Sequence, residues 1–192
     1  LNKQEMRNAL YRGRCTRMLD KLCCSPEFLI ATGRSINKER MKDQYVVLRA
    51  IAFLMLHRGE FKDIPALQYR GDIDDFLARF MVYVNDNAPE KLIVDYENLF
   101  IRCMQISYDL LGENGFRFSG NGIRRPINMP LFEALSYLFS FVPEKIDYTW
   151  ASRLILDIES VKEEFDDSRY FSGNIDSTTS VSFRFDRMDK II

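Results

Sequence analysis

The feature that most constrains the fold is an almost unbroken apolar run over residues 45–56, YVVLRAIAFLML, whose only charged residue is Arg49. A helix that is apolar on all sides is normally buried, and a buried guanidinium needs a partner. The run is too short to cross a bilayer, which takes about 18 or more apolar residues. We therefore predict a buried central helix over about residues 38–57, with other helices packed around it.

The rest of the chain also predicts helices. Asn2 begins a capping-box pattern, and Asp72 is a typical N-cap residue before an apolar stripe. Apolar residues recur about every 3.5 positions along 92–110. Residues 181–185 alternate in polarity, so this last segment is either a capped helix or a short strand. Nothing else indicates a sheet, and the sequence predicts one all-α, single multi-helix domain spanning residues 1–192.

Charge is unevenly distributed along the chain. The net charge is −1, but residues 1–58 contain 12 Lys and Arg against 5 Asp and Glu, a balance of +7. The remaining residues contain 15 against 23, a balance of −8. The basic first third indicates either an anionic partner, such as nucleic acid, or a face that meets the acidic part of the same molecule. Composition leaves both interpretations open.

The sequence contains little that could support catalysis. Its one histidine, His57, falls at the end of the predicted central helix, where an imidazole often caps the last carbonyl groups. There is no phosphate-binding P-loop, no nucleophile-elbow motif and no residue cluster with metal-ligand spacing. Cys23 and Cys24 are adjacent and no C-x-x-C occurs, which favours reduced thiols in a cytoplasmic protein. We expect no catalytic residue, metal or cofactor in this chain.

Arg49 has two interpretations. It forms a structural ion pair with an acid such as Asp72, Asp75 or Glu97, or it is held in place to contact phosphate. Arg40 and Asp43, three residues apart, are placed to pair on one helical face. The structural ion-pair candidates are Arg40, Asp43, Arg49 and Asp72. The candidate contacts to phosphate or nucleic acid are Arg7, Asn8, Arg12, Arg14, Arg17, Arg40 and Arg49.

A glycine-rich segment, residues 112–122, is followed by Arg124 and Arg125. Glycine amides and two guanidinium groups are suited to holding a phosphate. Glycine is also common in ordinary connections between helices. No strand is predicted before this segment, whereas a strand precedes the typical phosphate-binding loop. A plain loop is therefore the favoured interpretation.

Three blocks occur in order along the chain: LNKQEMRNALYRG from Leu1, RMKDQYVVLRAIAF from Arg40 and YRGDIDDFLARFM from Tyr69. With the later Phe116-Arg117 and the closing TTSVSFRFDR, they resemble the GmrSD restriction endonuclease N-terminal domain family. The resemblance covers nearly the whole chain. The order and spacing of the blocks are more specific than any one of them.

In that family a ParB-like α/β domain with an Asp-Gly-Gln-Gln-Arg motif comes first, and a helical half follows. This chain lacks the motif and begins with Leu rather than Met, so the resemblance implies the helical half alone, a fragment that follows a missing domain. It implies a bacterial, cytoplasmic protein of restriction-modification or anti-phage defence. Its function would be to support a nucleotide-dependent DNA-handling domain.

The implied partners are the missing ParB-like domain, DNA, and a nuclease domain or subunit, with no membrane. Nucleotide and Mg would belong to the parent protein, an NTPase or nuclease. The chain itself is expected not to be catalytic. The alternative is a stand-alone helical protein-interaction module without a nucleic-acid role.

Overall fold

The computed structural model describes residues 1–120 and 122–192, and in these ranges it contains nine α-helices, three short 3₁₀ turns and no strand. The helices are α1 Lys3–Leu10, α2 Arg14–Cys23, α3 Pro26–Ala31, α4 Lys42–His57, α5 Ile73–Asp86, α6 Glu90–Leu111, α7 Met129–Phe139, α8 Tyr148–Asp166 and α9 Thr178–Asp189. The 3₁₀ turns are Glu39–Met41, Pro65–Leu67 and Gly112–Asn114. The predicted all-α domain is confirmed, and the closing segment is a helix rather than a strand.

The core is built around α4, as the apolar run predicts. Every residue of α4 from Val46 to Met55 is buried. Helix α7 is also buried throughout, from Pro130 to Phe139, and packs directly against α4. Helices α2 and α5 contact α4 from other sides, while α6 and α9 pack against α7. Two helices without a solvated face therefore lie side by side, and shorter or amphipathic helices surround them.

The central helix begins later than predicted, at Lys42 instead of near residue 38. Arg40 and Met41 just before it have φ angles of 56° and 57°, in the left-handed region. Such residues cannot continue a right-handed helix. Because of this break, the predicted Arg40–Asp43 pair does not form. Asp43 accepts a hydrogen bond from the Gln44 backbone N–H at 2.8 Å, and Arg40 lies 4.0 Å from Glu5.

The predicted helix starts are confirmed at Asn2 and Asp72. Asn2 forms a complete capping box, and the Asp72 carboxylate accepts the backbone N–H groups of Asp74 and Asp75. Gly13 lies between α1 and α2 and is the N-cap residue of α2. A Cβ at Gly13 would lie 2.5 Å from Oδ1 of Asn85, so glycine allows the close approach of that side chain.

The buried stripe of α6 matches the predicted one only in part. Tyr96 and Cys103 of the predicted stripe are buried, but Leu92, Leu99 and Ile106 are only half-buried. The buried face instead includes Phe100, which packs against Phe28 of α3 and Phe132 of α7 with ring centroids 6.2 and 6.4 Å away. Apolar residues occupy two adjacent faces of this helix, and the neighbouring aromatic rings determine which one turns inward.

Candidate functional site

The partner of Arg49 is a buried carboxylate on α7. Arg49 is 1% exposed, and its Nε lies 2.5 Å from Oε1 of Glu133. The other oxygen of Glu133 lies 2.6 Å from Nη2 of Arg184 on α9. Asp176, in the loop before α9, completes the group, with Oδ1 2.6 Å from Nη2 of Arg49. One fully buried glutamate therefore joins arginines from two helices.

This buried ionic network, residues Arg49, Glu133, Asp176 and Arg184, is balanced in charge. Burial opposes the charge of Arg49, but the carboxylates of Glu133 and Asp176 outweigh it and raise its pKa above the ordinary value. The hydroxyl group of Tyr45 accepts a hydrogen bond from Arg49 Nη1 at 3.1 Å. Arg49 is thus paired internally, not with Asp72, Asp75 or Glu97, and its burial leaves no access for a phosphate.

The sequence analysis missed Glu133, Asp176 and Arg184. One signal could have identified Glu133: it is the single charged residue in the apolar segment 129–142, just as Arg49 is in 45–56. Two apolar helices with one opposite charge each are natural partners, because each buried charge requires neutralisation.

His57 does not cap its helix as predicted. Its ring stacks on Phe185 with centroids 3.6 Å apart, and its Nε2 is buried without a hydrogen-bond partner among the described residues. Burial, with the nearby Arg184 charge, lowers the pKa of His57 to about 4. The imidazole is therefore a neutral member of an aromatic cluster.

Helix α1 turns its polar face inward and its apolar face toward solvent. Its buried residues are Gln4 and Arg7. Met6 and Leu10, one turn apart on the outer side, are 43% and 74% exposed, and Leu1 just before the helix is 91% exposed. The polar inner face is satisfied by hydrogen bonds, and the apolar outer face contacts no described part of the chain that would bury it.

Polar contacts hold α1 in place. Arg7, 6% exposed, donates to Oδ1 of Asp74 at 2.7 Å and also to the Gln4 side chain. Its guanidinium lies 5.4 Å from the ring centroid of Tyr45. Asn8 donates to the side chain of Gln44 on α4. Arg7 and Asn8, two of the candidate phosphate contacts, are therefore engaged inside the molecule.

The remaining candidate contacts divide into two groups. Arg14 donates to the carbonyl oxygens of Asn85 and Ala88, at 3.0 and 2.9 Å, and so fixes α2 to the end of α5. Arg12 and Arg17 are exposed and form no ion pair with the described residues. Arg40 is also at the surface, within 4.0 Å of Glu5. Only Arg12, Arg17 and Arg40 of the predicted set are placed to meet an external phosphate.

A groove of about 440 Å³ lies between α1 and the turn before α4. Arg40 and Tyr45 line it on one side, and Lys3 and Asp74, which form an ion pair, line it on the other. From α1 the groove is lined by Lys3 and by the inward-facing Gln4 and Arg7, and not by the apolar residues of the outer face.

The part of the chain that is described contains no group of three or more His, Cys, Asp and Glu side chains that could hold a metal ion. Of its cysteines, Cys15, Cys23 and Cys103 are buried and Cys24 is exposed. Burial raises the pKa values of the Cys15 and Cys103 thiols to about 12, which keeps them protonated and unreactive. Among the described helices, none is long and apolar enough to cross a membrane.

Comparison of the chain with family models, with curated proteins and with solved structures finds no match. The resemblance to the GmrSD restriction endonuclease N-terminal domain family therefore stays a prediction based on the sequence blocks. The site must be interpreted from its own geometry.

Proposed function

We propose that this chain is the helical part of a bacterial GmrSD-type defence protein and that it supports a nucleotide-dependent DNA-handling domain. The observation that carries the proposal is the reversed polarity of α1. This helix turns Arg7 inward and leaves Met6 and Leu10 exposed. Through that face, the chain would dock on the ParB-like domain that the sequence resemblance implies.

Single exposed apolar residues are normal on protein surfaces. The arrangement on α1 is different, because apolar residues one turn apart face outward while buried polar residues face inward. Ala9 between them is exposed as well, so Met6, Ala9 and Leu10 form a short apolar strip. Apolar strips with a charged rim are typical of protein interfaces. Arg12, two residues after Leu10 and exposed, supplies a charge next to this strip.

The docking proposal is tested first in the coding sequence. An Asp-Gly-Gln-Gln-Arg motif encoded upstream of Leu1 is expected. The upstream domain and residues 1–192 are then produced as separate chains, and their affinity is measured by calorimetry. Met6→Asp with Leu10→Asp is expected to weaken binding at least tenfold, because interface anchors contribute about 1–2 kcal/mol or more each.

The matched control for docking is Leu156→Asp, which places the same charge on an exposed leucine of α8, 70% exposed. It is expected to bind as the unmodified chain does. Equal affinities for all three proteins, or an upstream frame without the motif, would refute the proposal. Unchanged thermal midpoints would show that the substitutions act on docking and not on folding.

The second candidate is a stand-alone helical interaction module, which the same α1 face supports. The two functions differ in DNA binding. If the chain helps to handle DNA, it should bind a short duplex weakly and without sequence preference, through phosphate contacts of Arg12 and Arg17. Arg12→Ser with Arg17→Ser is expected to reduce the log–log salt slope of binding by about 1.8, or about 0.9 for each phosphate that the variant no longer neutralises.

Fluorescence anisotropy at low and moderate salt measures this DNA binding. Arg14→Ser is the informative comparison, because Arg14 fixes α2 to the end of α5 and its removal should lower the thermal midpoint and leave the salt slope unchanged. Absence of binding at low salt favours the interaction module without a nucleic-acid role.

A further inference from the structure

A second groove, of about 400 Å³, opens between the start of α4 and the connection from α6 to α7. Three cationic side chains line it, Lys42, Arg117 and Arg124, and its described lining residues include no carboxylate. The other lining residues are Ser35 and the apolar side chains Ile36, Val46, Pro126, Ile127 and Met129. Its volume is that of a small-molecule site. The groove thus combines three positive charges with an apolar floor.

Arg117 is the most unusual of the three cations. It is 5% exposed, yet its guanidinium meets only neutral oxygens. It donates to the carbonyl groups of Glu113, Arg125 and Thr32, and to the hydroxyl group of Ser35. Within residues 1–120 and 122–192 it forms no ion pair. A buried charge without a counter-ion is costly, and an anion in the groove would offset that cost.

Arg124 increases the local positive charge. Its Nη2 lies 3.1 Å from Oε2 of Glu113, and the side chain remains half-exposed. Gly33 makes room for it, because a Cβ there would lie 2.1 Å from Arg124 Nη2. Burial first, and then repulsion by Arg124, lower the pKa of Arg117 below its ordinary value, and the Glu113 carboxylate opposes them only in part. The two guanidinium groups therefore repel each other, and an anion placed between them would reduce this repulsion.

Lys42 completes the set from the opposite side. It is exposed and forms no ion pair with the residues that the structure describes. As the first residue of α4, it also lies at the end of the helix that carries partial positive charge. Lys42 thus adds to the groove a charge of the same sign as the two arginines.

We propose that this groove binds the phosphoryl group of a small organic phosphate, with the apolar body of the ester on Ile36, Ile127 and Met129. A phosphate monoester carries nearly two negative charges at pH 7 and three acceptor oxygens, which suits a groove lined by three cations. Guanidinium groups match phosphate geometry, and the ammonium group of Lys42 adds a point charge. Lys42 also lines the groove beside α1, but the phosphate site does not depend on the proposed docking through Met6 and Leu10.

Calorimetric titration of the full chain with phenyl phosphate and with inorganic phosphate, at constant ionic strength, tests the site. Phenyl phosphate is expected to bind several-fold more tightly, because only the ester can cover the apolar floor. Lys42→Ala and Arg124→Gln are each expected to weaken phenyl phosphate binding about tenfold, by removing one charge-assisted hydrogen bond. Both side chains are exposed, so these variants should fold.

Lys38→Ala is the matched control, since Lys38 is an exposed lysine four residues before Lys42 and does not line the groove. It is expected to bind phenyl phosphate as the unmodified chain does. Three results would overturn the proposal. They are no binding at millimolar ligand, equal affinity for inorganic phosphate and the ester, and equally weakened binding in the Lys38 and Lys42 variants, which would indicate general attraction to the basic surface.

Discussion

Replacing Glu133 with glutamine is expected to lower the free energy of unfolding by about 3–5 kcal/mol, the cost of removing one partner from a buried ion pair. Glutamine fills nearly the same space, so the change removes charge and leaves packing intact. Arg184 would then have no carboxylate partner among the described residues, and Arg49 would retain only Asp176. One buried guanidinium group would thus lose its only acid, and the other would keep a single, partly exposed one.

Urea unfolding measures this decrease, and Glu164→Gln is the matched control. Glu164 pairs with Arg187 at 2.9 Å, but both side chains are partly exposed. Exposed pairs contribute about 1 kcal/mol or less. Asp176→Asn should fall between the two, because Asp176 is partly exposed and bonds one arginine only. If Glu133→Gln and Glu164→Gln unfolded at the same urea concentration, the buried network would not stabilise the fold.

The buried network shows how far sequence could predict this fold. The all-round apolar character of 45–56 predicted a central helix, and the structure buries nearly all of that segment. The partner of Arg49 was not predicted, because Glu133 lies 84 residues further along the chain and only its position as the single charge in a second apolar segment points to it. Periodicity reports on one helix at a time. Which two helices pack together depends on the connections between them.

Helix α1 shows a second limit. Periodicity identifies which residues share a face of a helix, but not which face turns inward. Arg7 was predicted as a surface contact, yet Asp74 on α5 and Gln4 on the same helix provide its buried hydrogen bonds. In a short helix, such polar contacts can outweigh the burial of Met6 and Leu10. The residues around α1 therefore determine which of its faces turns inward.

The start of α4 carried no signal in the sequence. Arg40 and Met41 adopt left-handed backbone conformations that glycine or asparagine usually occupies. No such residue marks the turn, so the helix was predicted to begin several residues too early. Because of this break, Lys42 is the first residue of α4, and it lines the groove proposed to bind phosphate.

Lowering the pH is expected to weaken the fold through His57. Its pKa is about 4 in the folded chain, against 6.5 for an exposed histidine, because burial and the Arg184 charge disfavour the imidazolium. Below pH 6.5 the unfolded chain binds a proton that the folded chain does not bind until about pH 4. Stability therefore falls between pH 6.5 and pH 4, and His57 has no effect above that window.

The size of this effect follows from about 1.4 kcal/mol for each pKa unit, which gives a decrease of about 3 kcal/mol by pH 4. His57→Phe isolates the contribution of His57 to the pH dependence of stability. Phenylalanine can keep the stack on Phe185, and it has no ring nitrogen that would be buried without a hydrogen-bond partner. Urea unfolding of both proteins at pH 7 and pH 4.5 is the measurement. The carboxylates titrate in both proteins and cancel in the difference. The variant is expected to gain about 2 kcal/mol relative to the unmodified chain over this range. Parallel pH profiles would mean that His57 is protonated as easily in the folded chain as in the unfolded one.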